Sequence, residues 1–374
     1  MKVTIATDSF KGSATSMEVA EAIERGIHRV NKEIICDKYP VADGGEGLID
    51  TLSQENDEIV NIEVHGPLFE KRNAYYLKRD NMAVIEMAAA SGLPLVPEKK
   101  RNPLNTTTLG TGELMLHALE NGCTELIIGI GGSATNDGGI GLLSALGAKF
   151  LNENKKVLTP DGKALKDIRE VDLSGMSSLL NNANIRVACD VDNPLCGENG
   201  CSAIYGPQKG ATQQMVSDMD EWLCNLSKIS NKEDIAQLAG AGAAGGLGFA
   251  LNGFCGAELE SGITLVLDLI GIGESLKDSS LVITGEGKID GQSVRGKVPV
   301  GVASLAAKYN LPVIAMAGDI GSGTEVLYEH GLSAIVSTTN AAMPLAKAMA
   351  RSLELTEDAA FRTWHLIEMA QKIK

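Results

Sequence analysis

Apolar and polar positions run along this chain in two textures. The first reads strand, loop, helix. Residues 2–7 form an apolar run that predicts a strand, and Asp8-Ser9-Phe10-Lys11-Gly12-Ser13 predicts a loop. Val19, Ile23, Ile27 and Val30 then recur at helical spacing, behind a capping box of Thr15 and Glu18. Residues 33–38 predict a second strand, which leads into PVADGGEG at 40–47. The second texture spans 58–87, where apolar and polar residues alternate and break at Gly66-Pro67 and at Arg79-Asp80-Asn81. That alternation predicts a β-meander. From Thr111 the first rhythm returns, with a helix to Asn121, a strand over 125–130 and a glycine-rich loop. Residues 281–284, 312–316 and 333–336 predict three more parallel strands.

Six strands of this kind predict an α/β protein with a doubly wound, mostly parallel six-stranded sheet. This Rossmann-like domain is expected to be discontinuous, built from 1–58, 100–150 and 272–374. Residues 59–99 and 151–271 are expected to form a second, inserted mixed α/β domain that holds the meander. Its further elements are a strand over 186–189, a helix over 213–226 and a Gly/Ala run at 240–248. There is no internal repeat, no low-complexity tract and no Pro/Ser-rich linker.

Composition narrows the function. The 374 residues carry a net charge of −15, which argues against a basic face for nucleic acid or anionic membrane. Aromatics are only 4% while Gly numbers 42, a balance suited to tight loops rather than to base stacking. The seven cysteines form no C-x-x-C pair, so they read as free thiols of a reducing, cytoplasmic setting. The apolar run before Asp8 is too short for a signal peptide, and no apolar run reaches membrane length.

Four segments carry candidate chemistry. The loop at 8–13 lies between a strand end and a helix start, where free N–H groups favour an anion and Lys11 adds a charge. It is not a Walker A loop, and a capped turn explains it equally well. The second segment, GGSATNDGG at 131–139, follows an apolar strand. Gly131 and Gly132 allow close backbone approach, Ser133, Thr135 and Asn136 supply hydrogen bonds, and Asp137 is placed to bind a metal or cap the next helix. In the third, Asp190 and Asp192 share one face if the strand at 186–189 continues, and paired carboxylates suit Mg²⁺ or general-base work. An Asx-Pro turn with solvated acids is the alternative. Downstream, Lys209 sits in a loop of its own. The fourth segment, TGEGK at 284–288 with Arg295 and Lys297, gathers cations between a strand and a helix opened by Pro299. GAGAAG at 240–245 matches a dinucleotide fingerprint, but the residues before it are polar and helical in pattern. An NAD-dependent dehydrogenase is therefore the rival from another class, and a non-catalytic sensor of a nucleotide or small acid is a third reading.

Taken in order, these segments resemble the bacterial glycerate kinase family of the GxGGSATNDGG type. The matching stretches are DSFKGS at 8–13, PVADGGEG at 40–47, GGSATNDGG at 131–139 and CDVDNPLCG at 189–197. GPQKGA at 206–211, GAGAAGGLG at 240–248, LESGITLVLD at 259–268 and VITGEG at 282–287 complete the set. The resemblance implies a kinase that uses ATP with Mg²⁺ and phosphorylates the 2-hydroxyl of D-glycerate. The 3-hydroxyl, or another small hydroxy acid, is the nearest alternative. On this reading Asp190, Asp8 and Lys11 are the expected catalytic residues. Gly131, Gly132, Ser133, Thr135, Asn136, Glu286, Lys288, Arg295, Lys297 and Lys209 are expected to bind phosphate or substrate, and Asp192 and Asp137 to hold metal. Partners are expected to be small molecules only, and the oligomeric state stays open.

Overall fold

The computed structural model of the protein describes residues 1–41, 47–294 and 296–373. Arg295 and residues 42–46 of the PVADGGEG segment lie outside the described residues. The strands of the first half are β1 (Lys2–Thr7), β2 (Ile35–Pro40), β3 (Glu58–His65), β4 (Lys71–Arg79), β5 (Met82–Glu86) and β6 (Glu125–Gly129). Those of the second are β7 (Lys149–Leu151), β8 (Glu170–Asp172), β9 (Asn184–Ala188), β10 (Glu258–Glu260), β11 (Leu281–Ile289), β12 (Val313–Ile320) and β13 (Ala334–Ser337). The chain divides into two compact units, Met1–Gly44 with Ile263–Lys374, and Gly45–Gly262.

The first unit is built on a parallel sheet in the order β13-β12-β11-β1-β2. On one face of β1, Val3 and Ile5 pack with Val19, Ile23 and Ile27 of the helix Ser16–His28 and with Trp364 of the helix Ser352–Gln371. On the other face Thr4 hydrogen-bonds Ser275 at 2.8 Å. Covering both faces is why β1 reads as an unbroken apolar run rather than an alternation. The Thr15–Glu18 capping box is present, with the Glu18 amide donating to Thr15 Oγ1 at 3.3 Å and the Thr15 amide to Glu18 Oε2 at 2.9 Å. Gly26 lets the two helices close up, since a Cβ there would lie 2.3 Å from the Glu357 carbonyl oxygen. Strand order reverses between β1 and β11, because β2 flanks β1 on one side and β12 and β13 extend the other way. Open α/β sheets present their ligand crevice outside the carboxyl ends of the strands at such a switch point.

The second unit is built on a mixed sheet in the order β10-β9-β6-β5-β4-β3. The predicted meander is there as β3, β4 and β5, with β4 antiparallel to both of its neighbours. Strands β5, β6, β9 and β10 then run parallel. Ile85, Leu126, Ile128, Val187, Leu247 and Phe249 lie in its core. A separate antiparallel ribbon joins β7 to β8.

The architecture is α/β with mostly parallel pairing, but three expectations need correction. The first unit's sheet has five strands among the described residues, not six, because the strand after Thr111 pairs between β5 and β9 in the other sheet. That pairing also keeps 100–150 with 59–99 and 151–262, so the middle of the chain is one continuous unit. The third concerns TGEGK at 284–288, expected in a loop. It lies inside β11, which pairs with β12 as far as Ile289.

Candidate active site

In the second unit, GGSATNDGG begins where β6 ends, at the carboxyl edge shared with β5 and β9. The loop is pinned from three sides. Leu93 donates to the Gly132 carbonyl at 2.8 Å and Ala134 to the Ser91 carbonyl at 2.9 Å, so residues 91–93 run antiparallel along it. Gly132 has φ +69° and Gly138 and Gly139 have φ +63° and +74°, the left-handed region where a Cβ is disfavoured. Gly138 donates to the Gly245 carbonyl at 2.9 Å. A Cβ on Gly245 would fall 2.1 Å from the Thr135 carbonyl oxygen, and one on Gly246 2.7 Å from the Gly138 Cα. The Gly/Ala run at 240–248 is therefore a packing surface for this loop. The segment before it is the short helix Glu233–Ala236, so the strand that a dinucleotide fingerprint requires is not present there.

Asp137 is wholly buried and accepts four hydrogen bonds, from the Thr108 amide and hydroxyl (both 2.8 Å) and from the amides of Gly139 (3.1 Å) and Gly141 (3.3 Å). Burial pushes its carboxyl above the usual carboxylate range, and those hydrogen bonds pull it back. Its oxygens are committed to the loop, so the expected metal role becomes one of anchoring. Thr108, its main partner, carried no signal in the sequence. Asn136 is also buried, with its amide nitrogen donating to Ser202 Oγ at 2.8 Å. Thr135 is buried with its hydroxyl directed to the Ala244 carbonyl at 3.5 Å. Both side chains shape the loop rather than line its outer surface.

At the loop's outer edge Gly132 is exposed and Gly131 half-buried, with Ser133 buried next to them. Among the described residues, nothing accepts a hydrogen bond from any of these three consecutive amides. Behind them lies Lys209, 2% exposed, whose Nζ donates to Ser133 Oγ at 2.8 Å and to the Thr135 carbonyl at 2.7 Å. Burial pushes this ammonium down to about 8, while the charge on Asp137 works in the other direction. The sequence placed Lys209 on an open loop as a direct ligand. The structure buries it, so it charges and positions the loop from beneath. Unpaired amides in a row, backed by a cation, form an anion-binding nest.

Beyond β9, at the same carboxyl edge, the Asp190 Oδ1 accepts the Gly262 amide at 2.8 Å. Asp190 and Asp192 are both exposed. They do not share a strand face, because β9 ends at Ala188, before either of them.

In the first unit the candidates gather at the β1–β11 switch point. The Asp8 amide donates to the Gly285 carbonyl at 2.9 Å, and its Oδ1 accepts the Ser9 amide at 2.6 Å. Glu286, near the end of the neighbouring strand, is 6% exposed. It accepts Ser293 Oγ at 2.8 Å and lies 3.3 Å from Lys297 Nζ. Burial pushes Glu286 up, the Ser293 and Lys297 contacts oppose this, and the charge on Asp8 adds to the rise. Asp8 and Glu286 thus feel each other as like charges. An acid is a poor phosphate ligand, so Glu286 is better placed to orient Lys297 or to meet a cation than to bind phosphate itself. Lys288 is exposed and 3.7 Å from Asp319, and Lys11 is exposed on the loop after β1.

Comparison with known proteins bears on both units. The profile of the glycerate kinase family matches residues 3–368. Glycerate kinase of Bacillus subtilis (strain 168) is 47% identical over 366 residues, covering 96% of each chain. Glycerate 2-kinase of Escherichia coli (strain K12) is 48% identical over 343 residues, covering 90% of each. A crystal structure from Salmonella typhimurium LT2, provisionally named glycerate kinase 2, superposes with a TM-score of 0.87 at 44% identity and covers 100% of this chain and 99% of its own.

Proposed function

Since this chain belongs to the glycerate kinase family, we propose that it moves the γ-phosphate of ATP, carried with Mg²⁺, to the 2-hydroxyl of D-glycerate. The products are 2-phosphoglycerate and ADP. Kinase action on glycerate is the family's shared activity, and the 2-position is supported by the name of the Escherichia coli relative. The observation that carries the reading is the nest of Gly131, Gly132 and Ser133 amides over the buried Lys209. It concentrates positive potential in a chain of net charge −15, which every anionic substrate otherwise finds repulsive.

Phosphoryl transfer asks a protein mainly for positioning and charge neutralisation. On the second unit, the nest holds anionic oxygens, and Asp190 accepts the proton of the attacking hydroxyl. Its hydrogen bond from Gly262 fixes the carboxylate's direction. On the first unit, Lys11, Lys288 and Lys297 supply positive charge around the switch point. Mg²⁺ prefers carboxylate oxygens; within the first unit Asp8 and Glu286 would fit it as donors, and within the second Asp192 would, whereas the fully bonded Asp137 does not. When bound, the ion neutralises charge that develops on the phosphate oxygens. The substrates are small molecules, and no helix among the described residues is long and apolar enough to cross a membrane.

A coupled ADP-release assay tests this reading. Turnover is expected with D-glycerate and Mg²⁺, to fall sharply with other small hydroxy acids, and to stop with a chelator. ADP release that ignores the acceptor overturns the assignment.

A further inference from the structure

Away from these loops, one group among the described residues brings together the three kinds of side chain that bind borderline metal ions. The ligand atoms of Glu24, His28 and Cys36 all lie within 4.8 Å of one another, and each residue is half-buried. Local structure makes the meeting a consequence of the fold. Glu24 and His28 are four residues apart on the helix Ser16–His28, so they share a face. Side chains alternate along β2, and Asp37 points to the far side of the sheet, where its Oδ2 accepts Ser275 Oγ at 2.8 Å. Cys36 and Lys38 therefore face the helix, and Lys38 pairs there with Glu24. His28 Nε2 lies 2.9 Å from the Ile34 carbonyl oxygen. A carbonyl only accepts, so Nε2 carries the proton, and in the neutral ring Nδ1 is the nitrogen left with a lone pair. Metal-binding imidazoles are commonly held this way.

We propose that Glu24, His28 and Cys36 form a site for one divalent cation of the zinc class, clipping the first helix to the edge strand β2. One sulfur, one imidazole nitrogen and one carboxylate suit Zn²⁺, Co²⁺ or Cd²⁺, with water in the fourth position, and do not suit Mg²⁺. The site is thus chemically distinct from any that serves the nucleotide. Binding converts the Cys36 thiol to a thiolate and releases its proton to solvent. Without a cation the thiol stays protonated, pushed up to about 12 by burial and by the charge on Glu24. Lys38 competes for the same carboxylate.

The test is a titration of the chelator-treated full chain with Co²⁺. One equivalent is expected to raise a thiolate-to-cobalt charge-transfer band in the near ultraviolet, with visible bands of a tetrahedral ion. Cys36→Ser abolishes the charge-transfer band, and Glu24→Gln weakens binding about tenfold or more. Lys38→Met strengthens binding, because it removes the competing ammonium. Zn²⁺ raises the thermal midpoint of the wild type and not of Cys36→Ser, and kinase activity of Cys36→Ser stays at the wild-type level. Absence of the band in the wild type, or its persistence in Cys36→Ser, overturns the proposal.

Discussion

Lys209→Met separates the two things a buried lysine can do. The ammonium is pushed down from 10.5 to about 8, a shift that corresponds to a few kcal/mol, on the order of 3, for holding the charge in the fold at neutral pH. Methionine removes that cost and keeps most of the volume. It also strips the donor from the buried Thr135 carbonyl, which costs about 1–3 kcal/mol, while the Ser133 hydroxyl can turn to another partner. The two effects nearly cancel, so the variant is expected within about 2 kcal/mol of the wild type at pH 7. Activity has no such compensation. Losing a charge that polarises the Gly131–Ser133 nest should lower kcat/KM at least about tenfold, or about 1.4 kcal/mol. The pH dependence gives a second readout. Between pH 8 and 10.5 the unfolded chain keeps a proton that the folded chain has released, so the stability of the wild type rises through that window. The variant lacks this contribution, and the wild-type rate should fall as pH passes about 8. Denaturant titrations of both proteins at neutral and alkaline pH, paired with steady-state kinetics, measure all of this. A stable Lys209→Met protein with undiminished kcat/KM refutes the charged-nest argument.

Gly245→Ala should destabilise by about 2 kcal/mol or more, since φ is +69° and the new Cβ lies 2.1 Å from the Thr135 carbonyl oxygen; an unchanged thermal midpoint would contradict the packing role given to that run. Asp190→Asn should fold normally and lose most of kcat with a smaller effect on KM for ATP, and near-normal turnover alongside an inactive Asp8→Asn would move the general base to Asp8. Alanine at Lys11, Lys288 or Lys297 should lower kcat/KM about tenfold wherever the charge meets the transition state, whereas three normal single variants would mark all three as surface charges.

Where local rules decided structure, the sequence was legible. The Thr15–Glu18 box opens its helix as the pattern required, and the alternation over 58–87 became a meander. Sheet membership was not legible, because β6 carries the same apolar signature as β1 and only tertiary pairing puts it beside β5 and β9. The glycine-rich loop at 131–139 could be located from spacing alone. Its internal assignments could not, since Asp137 and Lys209 look like exposed polar residues until Thr108 and Ser133 close over them. TGEGK was read as a loop because two glycines normally weaken a strand. Here Gly285 sits so close to β12 that a Cβ would lie 2.3 Å from the Met316 carbonyl oxygen, and the strand tolerates only glycine.

The central claim is the transfer itself, and phosphorus NMR of the reaction mixture tests it most directly. With ATP, Mg²⁺ and D-glycerate, the account predicts loss of the γ-phosphate signal and matching growth of ADP and 2-phosphoglycerate. Growth of 3-phosphoglycerate instead would contradict the 2-hydroxyl assignment, and an unchanged ATP spectrum with active-folded protein would contradict the function.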